Sequence, residues 1–220
     1  MTDPDLLELP LAQQLAIVHA PREARAASAA VFAFDARLAR FVAQATEPMV
    51  AQLRLAWWRD QLALPVTERA KGDVVLDNLS THLGYHSGML GKVVDGWEQL
   101  VVAEALTSSV VDTFAANRAT LFAALQDDRP IEPHDDELLR AGRLWALADL
   151  ASVQATPEDR AAIMQIAHAG LSQPIRLSRP LRHLHILGEL ARSSLRRGGA
   201  PLVSRRRDAL LISRLGLFGR

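Results

Sequence analysis

A few groupings of titratable side chains are spaced closely enough to do chemistry. Asp127/Asp128 and Asp135/Asp136 are adjacent acid pairs, and paired carboxylates are the usual hard-oxygen ligands of a divalent cation. Pro130 and Pro133 separate the two pairs, so they cannot share a helical face. Asp135, Asp136 and Glu137 instead suit the positive end of a helix N-terminus. His82 and His86 stand four apart, which is a zinc-ligand spacing. Gly84 lies between them and no third ligand is close, so a surface pair is expected. His183 and His185 are two apart and would point different ways from a helix. Asp35, Asp149 and the Asp95/Glu98 pair remain; the last reads most simply as a salt bridge on a helix face beside Gly96. The sequence has no cysteine, which excludes a thiol nucleophile, a disulfide framework, a zinc ribbon and an iron–sulfur centre. It contains no Gly-rich phosphate loop and no G-x-S-x-G elbow.

The elements that must position these residues are helices. Ala, Leu, Arg, Gln and Glu dominate, and prolines fall at breaks such as Pro21, Pro48, Pro65, Pro157 and Pro180, a pattern of ordinary helices joined by turns. Apolar residues at helical spacing, from Ala27 and Val31 to Phe41 and Ala45, predict a helix over about 23–45. A second follows Thr46, with Pro48 in its first turn, and runs to about 62. Further helices are expected at about 74–83, 88–106, 108–125, 134–153, 157 onward (Thr156 as cap), 181–196 and 205–217. Phe34, Trp57, Trp97 and Trp145 are core aromatics or the lining of an apolar pocket.

Of 220 residues, 49% are apolar and 23% charged, and 25 basic side chains balance 25 acidic ones. Disorder and bulk attraction to nucleic acid are therefore not expected. The balance conceals an asymmetry, because residues 1–160 hold 14 basic and 23 acidic side chains and residues 161–220 hold 11 and 2. The division read from the chain is a helical domain over 1–200 and a basic amphipathic tail over 201–220. In the tail Arg205, Arg206, Arg207 and Arg214 alternate with Leu210, Leu211, Ile212, Leu215, Leu217 and Phe218. Such a segment suits an anionic membrane surface, a partner, or the acidic part of the same chain. The N-terminus lacks a signal peptide's pattern, so the expected location is the cytoplasm, with peripheral contact at the inner membrane.

Three segments together resemble the squalene/phytoene synthase family. They are Ala30 to Val42 (AVFAFDARLARFV), Glu47-Pro48 through Leu53-Arg54-Leu55-Ala56-Trp57-Trp58-Arg59, and Val93-Val94-Asp95-Gly96-Trp97-Glu98; Leu121-Phe122 and Gly142 to Leu147 add weaker matches in order. The resemblance covers about residues 12–153. It implies a single all-α domain of the isoprenoid synthase kind, with eight to ten helices. In that family two DxxxD motifs face each other across a cavity and hold Mg²⁺, which holds the substrate diphosphates.

This chain departs from the family at those motifs. The positions matching the first motif are Ala39 and Ala43, and those matching the second are Val153 and Pro157. Without carboxylates there, the resemblance implies a non-catalytic member with no cofactor. It is similar to the branch that includes mitochondrial complex I assembly factor 6, whose role implies a protein partner in a respiratory complex. The alternatives are an active Mg²⁺-dependent prenyltransferase using Asp35, Asp95 and Asp149, and a module that binds an isoprenoid-like lipid.

Overall fold

The computed structural model describes residues 9–126, 135–154, 156–204 and 206–218. Among these residues every regular element is helical. In order they are α1 (Leu11–Val18), α2 (Arg25–Gln44), α3 (Pro48–Ala63), α4 (Val74–Leu83), α5 (Gly91–Val102), α6 (Ser108–Arg118), the single turn α7 (Thr120–Ala123), α8 (Asp135–Val153), α9 (Pro157–Leu171), α10 (Arg182–Arg196) and α11 (Arg206–Phe218). Short 3₁₀ turns occupy Arg22–Ala24, Val66–Glu68, Gly84–Leu90 and Arg179–Leu181. The all-α expectation holds.

Local chemistry sets the boundaries. Pro48 opens α3 at a position where a missing N–H costs nothing. The Asp73 carboxylate caps α4 by accepting from the Val75 and Leu76 amides, and it also pairs with Arg37 Nη1 of α2 at 2.9 Å. Thr156 caps α9 as expected, its hydroxyl accepting from the Asp159 amide. The stretch expected as one helix over 88–106 is instead a 3₁₀ turn followed by α5, which ends at Val102. The stretch over 108–125 breaks after Arg118 into α6 and α7. Helix α1 was not expected at all; it is eight residues long with Gln13 and Gln14 at its centre.

The core is continuous. Helix α2 sends Val31, Phe32, Phe34 and Leu38 into it, and α8 contributes Leu144, Trp145 and Leu147. Helices α8 and α10 pack along their length, while α6 lies between α5 and α8. That placement depends on two small residues. A Cβ on Gly96 of α5 would stand 3.1 Å from Asn117 Cβ, and one on Gly142 of α8 would stand 3.0 Å from Ala119 Cα and 3.1 Å from its carbonyl oxygen. Backbone cannot yield as a flexible side chain does, so Gly142→Ala is expected to destabilise the fold by about 1–3 kcal/mol through overpacking. A thermal melt of the variant checks this; an unchanged midpoint would mean that α6 and α8 separate without cost.

Helix α11 packs on α10, burying Ile212 and Leu215. The Asp208 carboxylate is also buried, where it accepts from the Ser204 amide at 2.9 Å and pairs with Arg197 Nη1 at 3.2 Å. The docking surface is thus mainly α10, within the basic stretch, with Gly216 also set against the His19 ring. Arg214 and Leu210 face solvent. Arg205 lies outside the described residues, as do the side chains of Arg206, Arg207, Leu217 and Phe218. Among the described residues no helix is long and apolar enough to cross a membrane.

Candidate functional site

A cleft of about 490 Å³ opens between the helices, within the usual range for small-molecule sites. Its lining includes Ala39, Val42 and Ala43 from α2, Trp97 and Leu100 from α5, and Asp149, Leu150 and Val153 from α8. The 103–106 segment after α5 closes one side, and Gln154 and Asp159 close another. Arg118, from the end of α6, forms part of the floor.

Below the cleft the charges converge on Arg118, whose side chain is 2% exposed. Its Nε and Nη2 donate to the Asp35 carboxylate at 3.0 and 2.6 Å, a two-pronged pairing. Its Nη1 lies 2.7 Å from Asp149 Oδ2. The Trp97 indole N–H donates to Asp35 Oδ1 at 3.0 Å. Aromatic rings enclose the guanidinium, with its Cζ 4.2 Å from the Trp145 ring centroid, 5.0 Å from Trp97 and 5.6 Å from Phe114. Burial alone would depress the Arg118 guanidinium. The charges of Asp35 and Asp149, and the hydrogen bonds to them, outweigh it and raise it above its ordinary value. Arg118 is therefore a permanent cation, held in a dry place by two anions.

The helical register explains which residues reach the cleft. Asp35, Ala39 and Ala43 follow one another at i, i+4 on α2, and Trp145, Asp149 and Val153 do so on α8. On both helices the carboxylate stands about one turn before the residue matched to a metal-binding aspartate, about 6 Å along the axis. Ala39, Ala43 and Val153 line the cleft as one set. Pro157 does not join them. Helix α8 stops at Val153, so Pro157 opens a new helix, is exposed, and leaves Asp159 to face the cleft.

The other expected site residues are dispersed. Asp95 pairs with Arg59 Nε of α3 at 2.9 Å, and Arg59 also binds Glu98, which makes the salt-bridged face read from the sequence and keeps Asp95 away from Asp35 and Asp149. Of the four aromatics only Trp97 lines the cleft. Phe34 sits roughly a quarter-turn from Asp35 and packs on Trp58 with ring centroids 5.1 Å apart. Trp145 lies on the core side of Arg118, against Phe32 and Phe122. Trp57 is on the outer face of α3, which also exposes Met49 and Leu53. His82 is exposed, while His86 belongs to the 3₁₀ turn after α4 and stacks on Tyr85, so the two share no helical face. Asp127 and Asp128 lie outside the described residues, as does the side chain of Asp135; Asp136 is exposed. Among the described residues no three His, Asp or Glu side chains are grouped to hold a metal ion.

One contact has no precedent in the sequence pattern. Ser28 Oγ and His183 Nε2 are 3.1 Å apart, both fully buried, joining α2 to α10. The pair ties the two helices together inside the core. Burial lowers the His183 pKa to about 4, against about 6.5 in an unfolded chain. Between those values the unfolded state binds more protons. Stability is therefore complete above pH 6.5 and falls as the pH drops towards 4, by at most about 1.4 kcal/mol per pH unit from this group. Unfolding at a series of pH values should show the slope, and His183→Gln should reduce it; His185, also lowered by burial, supplies a remainder. An unreduced slope would assign the acid sensitivity elsewhere.

No family model, curated protein or solved structure shows a significant match to this chain.

Proposed function

We propose that this chain is a non-catalytic protein resembling the squalene/phytoene synthases, acting as a scaffold or assembly factor near a membrane. One observation carries the non-catalytic reading: the cleft positions matched to metal ligands are Ala39, Ala43 and Val153, and the carboxylates one turn before Ala39 and Val153, Asp35 and Asp149, are both engaged by Arg118. Prenyl transfer of the family type needs free carboxylates to carry Mg²⁺ and the diphosphate charge. Arg118 bridges Asp35 and Asp149 and cancels one of their two charges, which leaves the pair short of what Mg²⁺ and a diphosphate require, and Asp95 is bound elsewhere by Arg59. The role in assembly rests on the resemblance alone. Incubating the purified chain at high concentration with farnesyl or geranylgeranyl diphosphate and Mg²⁺ should release no diphosphate; release would restore the prenyltransferase. Deleting the gene should impair respiratory NADH oxidation, and unaltered oxidation would remove the assembly role.

The cleft favours a second reading, a module that holds an apolar lipid. Its walls of Ala, Val and Leu with Trp97 at the base are suited to a hydrocarbon chain. Native mass spectrometry of the purified protein would then show a co-purifying lipid.

A further inference from the structure

The charge around the cleft runs opposite to what a diphosphate requires. Asp149, Glu104 and Asp159 line it, against the single guanidinium of Arg118. Arg118 is not available to a ligand: it is engaged by Asp149 from the cleft side and by Asp35 from below. Arg160, beside the rim on α9, donates to the Gln154 carbonyl at 2.8 Å. Glu104 is exposed. Asp159 uses Oδ2 to accept from the Thr156 hydroxyl at 2.6 Å and its full negative charge remains. The recess is thus apolar along its walls and carries an excess of negative charge.

We propose that this cleft binds an apolar molecule carrying a cationic group, such as a long-chain amine, and rejects apolar anions including prenyl diphosphates. The hydrocarbon would lie along Ala39, Val42 and Leu150, and the ammonium would sit among Asp149, Asp159 and Glu104. Apolar burial supplies affinity that is indifferent to the head group, and the carboxylates discriminate between heads by charge. The proposal rests on the cleft being a ligand site, which is the second reading above, and does not depend on the assembly role.

The test is calorimetric titration of the whole chain with dodecylamine, dodecanol and dodecanoate, each below its micelle concentration, and with farnesyl diphosphate. Dodecylamine should bind about tenfold or more tightly than dodecanoate, with dodecanol between them and the diphosphate weakest. The Glu104→Gln/Asp159→Asn double variant should lose most of that preference while holding dodecanol as before. Ala43→Trp, which fills the cleft from its rim, should abolish binding of all. Equal or tighter binding of dodecanoate or the diphosphate overturns the proposal, as does a preference that survives the double variant. Absence of binding by every probe overturns the ligand site and leaves the non-catalytic reading intact, because that reading is scored separately by diphosphate release.

Discussion

Replacing Arg118 with methionine is expected to lower the free energy of unfolding by about 3–5 kcal/mol, the range for removing one partner from a buried ion pair. Methionine keeps much of the apolar stem and would still fill the space under the Trp145 and Trp97 rings. The loss comes from what remains: Asp35, 2% exposed, would retain only the Trp97 N–H among the donors described here. A carboxylate in that position must stay charged at a high desolvation cost or take up a proton. The Arg118→Met/Asp35→Leu double variant removes the orphaned charge and should recover a large part of the stability, since apolar replacement of a whole buried pair is often nearly neutral. Urea unfolding of both single variants and the double gives the coupling directly. A loss below about 1 kcal/mol would place the pair in the class of solvated surface bridges and undo the account of the site as a sealed charge cluster.

Trp145→Ala should cost a similar amount, about 3–5 kcal/mol, as expected for emptying a fully buried aromatic position. Its ring meets Phe32 and Phe122 with centroids 5.7 Å away in each case, and Arg118 lies over its other face. Trp145→Phe should be milder. It keeps an aromatic face towards the guanidinium and removes an indole N–H that is buried without an acceptor. Trp57→Ala, on the outer face of α3, should change stability by about 0.5 kcal/mol or less. Equal losses at Trp57 and Trp145 in parallel denaturation curves would contradict the division of the tryptophans into core and surface.

Much of the helical order was legible because it is written locally. Pro48 and Thr156-Pro157 mark helix starts by chemistry that acts within one turn, and the apolar repeat from Ala27 to Ala45 marks α2. Helix α1 was hidden since eight residues with two central glutamines give too short a period to read. The break after Arg118 was hidden for a different reason. At the break the Thr120 hydroxyl donates to the Asn117 carbonyl at 2.7 Å, and Ala119 lies against Gly142, a residue from another helix. The cleft residues Ala39, Ala43 and Val153 were reached by position alone. Arg118 was missed entirely. Its neighbours, Ala-Asn before and Ala-Thr after, carry no signal of burial. The available clue was on α2, where Asp35 follows Val31-Phe32-Ala33-Phe34 and lies one turn from Val31 on a face that is otherwise apolar. An acid in that setting needs a buried cation, but its identity depends on contacts 83 residues away.

The charge cluster also bears on how the molecule opens. Asp35, Trp97, Arg118 and Asp149 come from α2, α5, α6 and α8. Pulling away α2 or α6 would break the pairing of Asp35 with Arg118, both almost fully buried, and moving α5 or α8 would take away a partner of one of them. Partial opening at this centre is therefore disfavoured, and the four helices should behave as one cooperative unit in amide hydrogen exchange. Helices α9 and α11 contribute no side chain to the cluster and are expected to exchange at lower protection in the same experiment. A buried ion pair would thereby divide the chain into a part that unfolds all at once and a part that breathes around it.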